Sequence, residues 1–429
     1  MKIKTLIVVL LITVSSAVWS TNPAYNPDGE FYDYGNQLPD KSRFYNGHIR
    51  PFPSDTSLRY YLDRYMTNKE EKKGKYGSVE SDNPYVFESE LQEFDAVTTD
   101  LEESALVSYL FYEDGKIKVD KKSPKNRFGD MFGDNDQLIS MSIGKSMVSY
   151  LLGHAICKGY IKDVNEKIED WWLLKDTLYE NQKLADLINM RAGDQNYVGP
   201  SQFIQANINT GSDPYYGSEH HPTMYSILEV SEFLVGTKKS KKVYHYNPIP
   251  PNVVLNYIIH KVDDKDKFQE FLDYIFQNKV GIENEVWFVK GGKGWGRKDE
   301  VDGVAKATFF ASRYDYLRIA KSMLDDWNND TCVGSYLKTI YKKRELKGVD
   351  YYKTASKIWF PNNANEGYGG FFHTDYKGYP GRQNIMAMDG RGGQVIWINF
   401  DDNRIVVANA VLLTYDWKKI VADTVKNGL

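Results

Sequence analysis

Ser142 and Lys145 are the residues of this chain whose types and spacing could support covalent chemistry. A serine hydroxyl is a weak nucleophile at neutral pH, and it must lose its proton as it attacks a carbonyl carbon. Side chains three positions apart lie on the same face of a helix, so the Lys145 amine could reach the Ser142 hydroxyl and accept that proton. Only a neutral lysine can do this, which requires burial or a nearby cation to lower its pKa by roughly three units. The pair therefore predicts acyl transfer through Ser142.

In the stretch from Ser142 to Ile161, a buried helix is predicted to begin at Ser142 and to be closed by Gly159 as its C-cap. Apolar residues recur along it at helical spacing: Met147, Leu151, Leu152, Ala155 and Ile156. A serine at the N-terminus of a helix has a backbone N–H without an intrahelical acceptor. That N–H could stabilise the oxyanion of an acyl-transfer reaction.

Strands are predicted on both sides of a helix-rich middle region, which spans about residues 165 to 340. The strand signals are two hairpins, Ala105–Val119 and Gln394–Leu413, and a helix is predicted from about Asp416 to the end. A long polar loop, Gln195–Pro222, interrupts the middle region. Loops of this length inside a compact region are commonly functional or mobile.

The segment around Ser142, with its preceding hairpin and following helix, resembles the serine β-lactamase-related and penicillin-binding-protein-like superfamily. The likeness is to the branch that holds class C β-lactamases, family VIII esterases and 6-aminohexanoate-dimer hydrolases. Four more segments are similar to family patterns in the expected order: Leu187–Gly193 to L-L-x-M-x-S-G, Phe309–Leu317 to T-A-R-D-L, Tyr368–Phe372 to Y-G-Y-x-W, and Gly390–Gln394 to G-x-G-G-Q. The resemblance implies an α+β fold, in which helices flank an antiparallel β-sheet and an all-helical region is inserted, with a cleft between these parts.

The resemblance also implies a catalytic tyrosine, which we place at Tyr246. Members of the superfamily carry this tyrosine in a Y-x-N or Y-x-S triplet. Here the third position is Pro248, so the amide that orients the substrate is missing or is replaced by Asn247. Tyr244, two residues earlier, is a competing candidate.

The last family motif is placed at Arg391, Gly392, Gly393 and Gln394. By resemblance, Arg391 stands where penicillin-recognising enzymes carry the lysine of K-T-G, and it would hold a positive charge near Tyr246. The alternative is that Arg391 is an exposed turn residue. The hydroxyl residue of K-T-G is absent, and the backbone N–H of Gln394 would complete the oxyanion hole beside that of Ser142.

The composition of the chain argues against nucleic-acid-binding and metal-dependent classes of function. The chain has 429 residues and a formal net charge of -4, with acidic and basic residues interspersed, so we expect no nucleic-acid partner. No Cys, His or Asp cluster has the spacing of a metal site, and the adjacent His220 and His221 would point apart. We therefore expect no metal and no cofactor.

The N-terminal residues read as an export signal over residues 1–20, with Lys2 and Lys4 before an apolar run that is too short to span a bilayer. We expect an exported, periplasmic or secreted protein with no membrane span after cleavage. A loop-rich extension, 21–95, with one helix over Ser57–Met66, would precede a hydrolase domain over 96–429. The two cysteines, Cys157 and Cys332, could form a disulfide or remain as inert thiols.

These features predict a serine hydrolase that forms an acyl-enzyme with a small ester or short amide substrate. The changes in the Y-x-N and K-T-G motifs point away from β-lactams, so a β-lactamase or DD-peptidase is a weaker alternative. A different alternative is a non-catalytic envelope binding module that has kept the fold. A Ser-His-Asp hydrolase is not favoured, because the sequence has no G-x-S-x-G elbow. The oligomeric state is not indicated.

Overall fold

The computed structural model of the chain describes residues 75–129, 132–169, 171–198, 227–290, 304–347, 365–376, 383–390, 392–411 and 418–429. Several predictions from the sequence therefore lie outside the described residues. They are the signal segment 1–20, the helix over Ser57–Met66, the loop Gln195–Pro222 beyond its first four residues, and Arg391. Within the described residues, no helix is long and apolar enough to cross a membrane.

The strands of the described residues, in chain order, are β1 Lys75–Ser78, β2 Glu88–Ser89, β3 Leu106–Glu113, β4 Lys116–Lys122, β5 Leu138–Ile139, β6 Val286–Lys290, β7 Ala305–Ala311, β8 Glu345–Leu346, β9 Asn365–Gly369, β10 Phe372–Tyr376, β11 Ile385–Gly390, β12 Gln394–Asn399 and β13 Arg404–Ala410. The helices are α1 Asp95–Glu103, α2 Ile143–Cys157, α3 Leu184–Ile188, α4 Ile227–Phe233, α5 Ile249–Val262, α6 Lys265–Asp273, α7 Arg313–Asn328, α8 Cys332–Lys342 and α9 Lys418–Asn427. A 3₁₀ turn spans Trp172–Leu174, and π-helical segments span Lys125–Gly129 and Tyr274–Val280.

The larger sheet joins the two ends of the described chain. Its strand order is β2-β4-β3-β13-β12-β11-β10-β9-β8, and all its pairs are antiparallel except β2 with β4. The two hairpins expected from the sequence form its centre, because β13 pairs with β3 along the whole length of both strands. Helices α2, α7 and α9 pack against these central strands. The α+β fold class predicted from the sequence is confirmed.

A second sheet, of order β1-β6-β7-β5, lies among the helices of the middle region. The sequence pattern predicts a helix-rich middle region, and the family resemblance implies an all-helical insert, so these strands were not expected. The physical reason is that β6, Val286–Lys290, is a run of four apolar residues followed by a lysine, and so short an apolar run has the same hydrophobic pattern in a buried strand or a helix. Strand β1 shows further that part of the expected extension, 21–95, is built into the domain by pairing with β6.

Helix α2 occupies the centre of the molecule. All of its residues from Ile143 to Ala155 are buried, which is typical of a helix that is covered on every side. It packs against β7, α5 and α8, and its first turns approach β11 and β12. Beyond its end, Gly159 has φ of 80°, the left-handed conformation that was expected of a C-cap glycine.

A disulfide joins Cys157, the last residue of α2, to Cys332, the first residue of α8. The Cα atoms are 5.8 Å apart, within the usual range for a disulfide. Of the two states that the sequence left open for these cysteines, the structure has the bridge.

Candidate active site

Ser142 lies at the turn between β5 and α2. Met141, directly before it, has φ of 48°, a left-handed conformation that reverses the chain and places Ser142 at the N-cap of the helix. The Ser140 hydroxyl accepts a hydrogen bond of 2.8 Å from the backbone N–H of Phe309 in β7, which fixes this turn to the smaller sheet. Among the described residues, no backbone acceptor bonds the Ser142 N–H. This N–H is therefore available to an oxyanion.

Gly144 allows α2 to begin this close to the smaller sheet. A Cβ atom added at Gly144 would overlap the carbonyl oxygen of Ala307 in β7 and would press on the Ser140 hydroxyl. Only a residue without a side chain fits between the first turn of the helix and the strand. Gly144, inside the Ser142–Lys145 motif, thus lets the first turn of α2, and with it Ser142, lie close to β7.

Lys145 is the hydrogen-bond partner of Ser142. Its Nζ lies 2.8 Å from the Ser142 Oγ, as expected for side chains one turn apart on the same helix face. Only 7% of the lysine is exposed, and burial lowers its pKa from the usual 10.5 to about 7. The ε-amine is therefore close to half neutral at neutral pH, which is the state that can accept the serine proton.

Tyr246 lies beside this pair. The Lys145 Nζ is 4.8 Å from the centroid of the Tyr246 ring, and the tyrosine is only 5% exposed. Tyr244, the competing candidate, instead packs near Lys347, whose Nζ is 5.5 Å from its ring. Of the two candidate tyrosines, Tyr246 is therefore the one that lies next to Lys145.

Asn247 anchors the segment that carries Tyr246. Its Nδ2 donates to Asp194 Oδ2 at 2.9 Å and to the His245 carbonyl at 3.2 Å, and its Oδ1 accepts from the Ile249 N–H at 2.9 Å. The residue is fully buried, and both amide hydrogens are engaged in these bonds. Asn247 therefore holds the tyrosine segment in place, and this arrangement gives it no amide hydrogen to offer to a substrate.

The turn before β12 approaches the serine from the larger sheet. Gly392 and Gly393 both have positive φ, 89° and 82°, which favours glycine at these positions. A Cβ atom added at Gly390, which pairs with Gln394 across β11 and β12, would press on the Ser140 carbonyl oxygen. The start of β12 thus lies next to the turn that bears Ser142.

The Gln394 side chain has a structural part in this turn. Its amide donates to the Ala410 carbonyl, and its Oε1 accepts from Asn409 Nδ2 at 2.9 Å. The side chain is wholly buried, so only the backbone of Gln394 could face the cleft. Arg391, the remaining residue of the predicted motif, lies outside the described residues.

Two buried residues close to this site were missed by reasoning from the sequence. Lys347 follows β8, and its Nζ lies 3.2 Å from the Nδ1 of His373 in β10. The imidazole ring of His373 is 6.1 Å from the Tyr246 ring, measured between centroids. His373 follows the Tyr368–Phe372 segment directly and could have been suspected from that position, but nothing in the sequence around Lys347 marks it.

No protein-family model matches this chain, and no curated protein matches it. Among solved structures, the chain is similar to a Bacillus anthracis protein assigned as a 6-aminohexanoate-dimer hydrolase, with a TM-score of 0.56 at 14% identity over 89% of this chain and 95% of that chain. It is also similar to FmtA from Staphylococcus aureus, with a TM-score of 0.46 at 16% identity over 86% of this chain and 93% of that chain. A D-amino acid amidase from Ochrobactrum anthropi is similar with a TM-score of 0.46 at 13% identity over 75% of this chain and 93% of that chain. The first of these similarities confirms the fold that the sequence motifs predicted.

Proposed function

We propose that this chain, which has the fold of the serine β-lactamase and penicillin-binding-protein superfamily, is a serine hydrolase with Ser142 as its nucleophile. The observation that carries the proposal is the 2.8 Å contact between the Ser142 Oγ and the Nζ of a buried lysine, Lys145. A surface lysine would remain protonated and could only donate to the serine. A buried lysine with a pKa of about 7 can take the serine proton at neutral pH.

In the acylation step, the Ser142 Oγ attacks the carbonyl carbon of the substrate as its proton passes to Lys145. The developing oxyanion accepts hydrogen bonds from the backbone N–H groups of Ser142 and Gln394. The tetrahedral intermediate then collapses, and the alcohol or amine leaves with the proton that Lys145 had accepted. The product of this step is an ester between Ser142 and the acyl group.

In the deacylation step, water attacks the acyl-enzyme and the Ser142 oxygen becomes the leaving group. In this proposal Tyr246 and Lys145 act as one coupled acid–base pair. The support is their proximity, since the Lys145 Nζ lies 4.8 Å from the centroid of the Tyr246 ring. A water molecule loses its proton to this pair as it attacks the acyl carbon, and the Ser142 oxygen regains a proton as the carboxylic acid leaves. The enzyme returns to its starting state.

An ester or a short linear amide is the substrate class that fits the described residues best. By resemblance, Gly392 stands where penicillin-recognising enzymes place a hydroxyl residue, and the Asn247 amide is already bonded to Asp194 and His245. Among the described residues, the motif hydroxyl and a free Asn247 amide, two groups that would bind a β-lactam, are therefore missing. We expect hydrolysis of short p-nitrophenyl esters and little or no turnover of nitrocefin.

We further propose that the enzyme works outside the cytoplasm. The support comes from the signal-like residues 1–20 and from the disulfide between Cys157 and Cys332, since disulfides persist mainly in oxidising compartments. Mass spectrometry of protein from the host cell envelope or medium would show whether the chain begins near Thr21.

The test of the proposed function is intact-protein mass spectrometry after incubation with a fluorophosphonate probe. We expect one adduct on the wild type and none on Ser142→Ala. The matched control is Ser146→Ala, which removes another hydroxyl from the same helix, one that donates to the Phe371 carbonyl at 2.7 Å. That control should keep the adduct. A wild-type protein that is folded but never labelled would overturn the proposal in favour of a binding module.

A further inference from the structure

A second buried lysine stands at the end of an aromatic cluster next to the proposed nucleophile. Lys347 is 6% exposed, and its Nζ lies 3.2 Å from His373 Nδ1. The same Nζ is 5.5 Å from the Tyr244 ring and 5.8 Å from the Tyr368 ring, distances at which aromatic faces stabilise a cation. The ammonium is thus held by an imidazole and two tyrosine rings.

The cluster continues from His373 to Tyr246. Ring centroids of His373 and Tyr246 are 6.1 Å apart, and those of His373 and Tyr368 are 4.9 Å apart. Tyr368 also meets Tyr246 edge to face at 5.9 Å. Two rings fixed by the larger sheet therefore pack against Tyr246, which in turn lies 4.8 Å from the Lys145 Nζ.

Burial and the neighbouring positive charges favour the neutral imidazole of His373. Burial and the two lysines, Lys347 and Lys145, hold its pKa well below the usual range. Burial lowers the pKa of Lys347 from the usual 10.5 to about 7, and the Asp389 carboxylate on β11 acts in the opposite direction. The Asp389 carboxylate accepts from Trp397 Nε1 at 3.1 Å. Among the described residues, the charged groups that act on His373 are thus Lys347 and Lys145, and the rings of Tyr246 and Tyr368 pack against it.

A lysine ammonium has three donors and no acceptor, whereas a neutral imidazole has one donor and one acceptor. When Lys347 is protonated, His373 Nδ1 must therefore accept from it, and the imidazole proton is confined to Nε2. The contact fixes both the tautomer and the orientation of the ring that touches Tyr246.

We propose that Lys347 and His373 are positioning residues of this active site, which hold the imidazole as its Nε2–H tautomer and thereby fix the Tyr246 ring beside Lys145. This inference rests on the proposed function, because positioning of Tyr246 matters only if Tyr246 and Lys145 move protons to and from Ser142.

The experiment compares wild type with Lys347→Met, a variant of similar shape that cannot donate to His373. Lys342→Met, on the exposed surface of α8, is the control for loss of a lysine. The ¹⁵N shifts of the His373 imidazole at about pH 6 report its tautomer, and the rate of Ser142 labelling by the fluorophosphonate probe reports nucleophile activation across pH 5 to 9.

We expect the Nε2–H tautomer alone in wild type and in Lys342→Met, and a mixture of tautomers in Lys347→Met. We expect Lys347→Met to label roughly tenfold to a hundredfold more slowly, since small displacements of catalytic groups have effects of this size. Lys347→Arg, which keeps a cationic donor, should recover part of the rate.

Two results would overturn the inference: a tautomer that does not change in Lys347→Met, or a changed tautomer with an unchanged labelling rate. A wild-type protein that never labels refutes the proposed function instead, so the two failures are distinguishable. His373→Gln provides a second variant, in which an amide can accept from Lys347; its labelling should fall less than that of His373→Leu.

Discussion

Replacement of Lys145 by methionine should stabilise the protein at neutral pH while it abolishes labelling of Ser142. The reason is that folding must bury an amine that is protonated in the unfolded chain. The pKa falls from 10.5 to about 7, and this difference corresponds to about 4 to 5 kcal/mol at full effect. The burial of Lys145 is thus a stability cost that the active site imposes on the fold.

The sign and the pH range follow from proton uptake. Because the folded pKa is the lower one, the unfolded chain binds more protons between about pH 7 and 10.5, and the stability of the wild type rises with pH in that range. The cost is complete below pH 7 and disappears above 10.5. At pH 7 about 4 kcal/mol remains, and at pH 10 less than about 1 kcal/mol remains.

Methionine removes this cost but also loses the hydrogen bond between Lys145 and Ser142, which contributes about 1 kcal/mol. Relaxation around the buried amine makes these figures upper values, so we expect Lys145→Met to be more stable than wild type by about 2 to 3 kcal/mol at pH 7. The assay is urea unfolding followed by tryptophan fluorescence at pH 7 and at pH 10. Lys342→Met, an exposed lysine, should change the stability by less than about 0.5 kcal/mol at either pH.

The reasoning is refuted if Lys145→Met is no more stable than wild type at pH 7, or if its advantage is as large at pH 10. Either result would mean that Lys145 keeps its charge in the folded protein. A general base with an ordinary pKa could not then activate Ser142 at neutral pH.

Two further predictions concern the residues that place the nucleophile and the tyrosine. Gly144→Ala should lower the free energy of unfolding by about 1 to 3 kcal/mol and slow Ser142 labelling, because its Cβ would overlap the Ala307 carbonyl. The control Gly133→Ala has room for its Cβ and should change neither the stability nor the labelling rate. Equal labelling of both variants would contradict this packing argument. Asn247→Leu should cost about 2 to 4 kcal/mol in urea unfolding and reduce labelling, since the Asp194 carboxylate loses a buried donor, and a fully active variant would show that Asn247 does not fix Tyr246.

The parts of the fold that could be predicted from the sequence are those whose hydrophobic pattern fits a helix or a strand but not both. The hairpin of β3 and β4 has a turn at Asp114 and Gly115 between two apolar runs, and both strands were found where expected. Helix α2 was found because its apolar residues continue at helical spacing over four turns. Strands β6 and β7 were missed because short apolar runs fit a buried strand and a buried helix equally well.

The candidate site likewise contains contacts that could be predicted from the sequence and contacts that could not. Ser142 and Lys145 are three residues apart on one helix, so local geometry alone brings their side chains together. Lys347 and His373 meet because β8, β9 and β10 are neighbours in the larger sheet. A contact of that kind depends on strand pairing, which single-sequence patterns do not specify. The buried bonding of Asn247 likewise depends on Asp194, which is remote in sequence.

The disulfide between Cys157 and Cys332 makes a covalent ring of the chain. The two cysteines are separated by 175 positions, and Tyr246, its helix α5, and strands β6 and β7 all lie inside that ring. One cut by a protease anywhere in the ring leaves a single covalent molecule, in which both new ends remain tied through α2 and α8. The end of the helix that begins at Ser142 thus stays bonded to α8 even when the chain between them is broken, and only reduction would separate the two pieces.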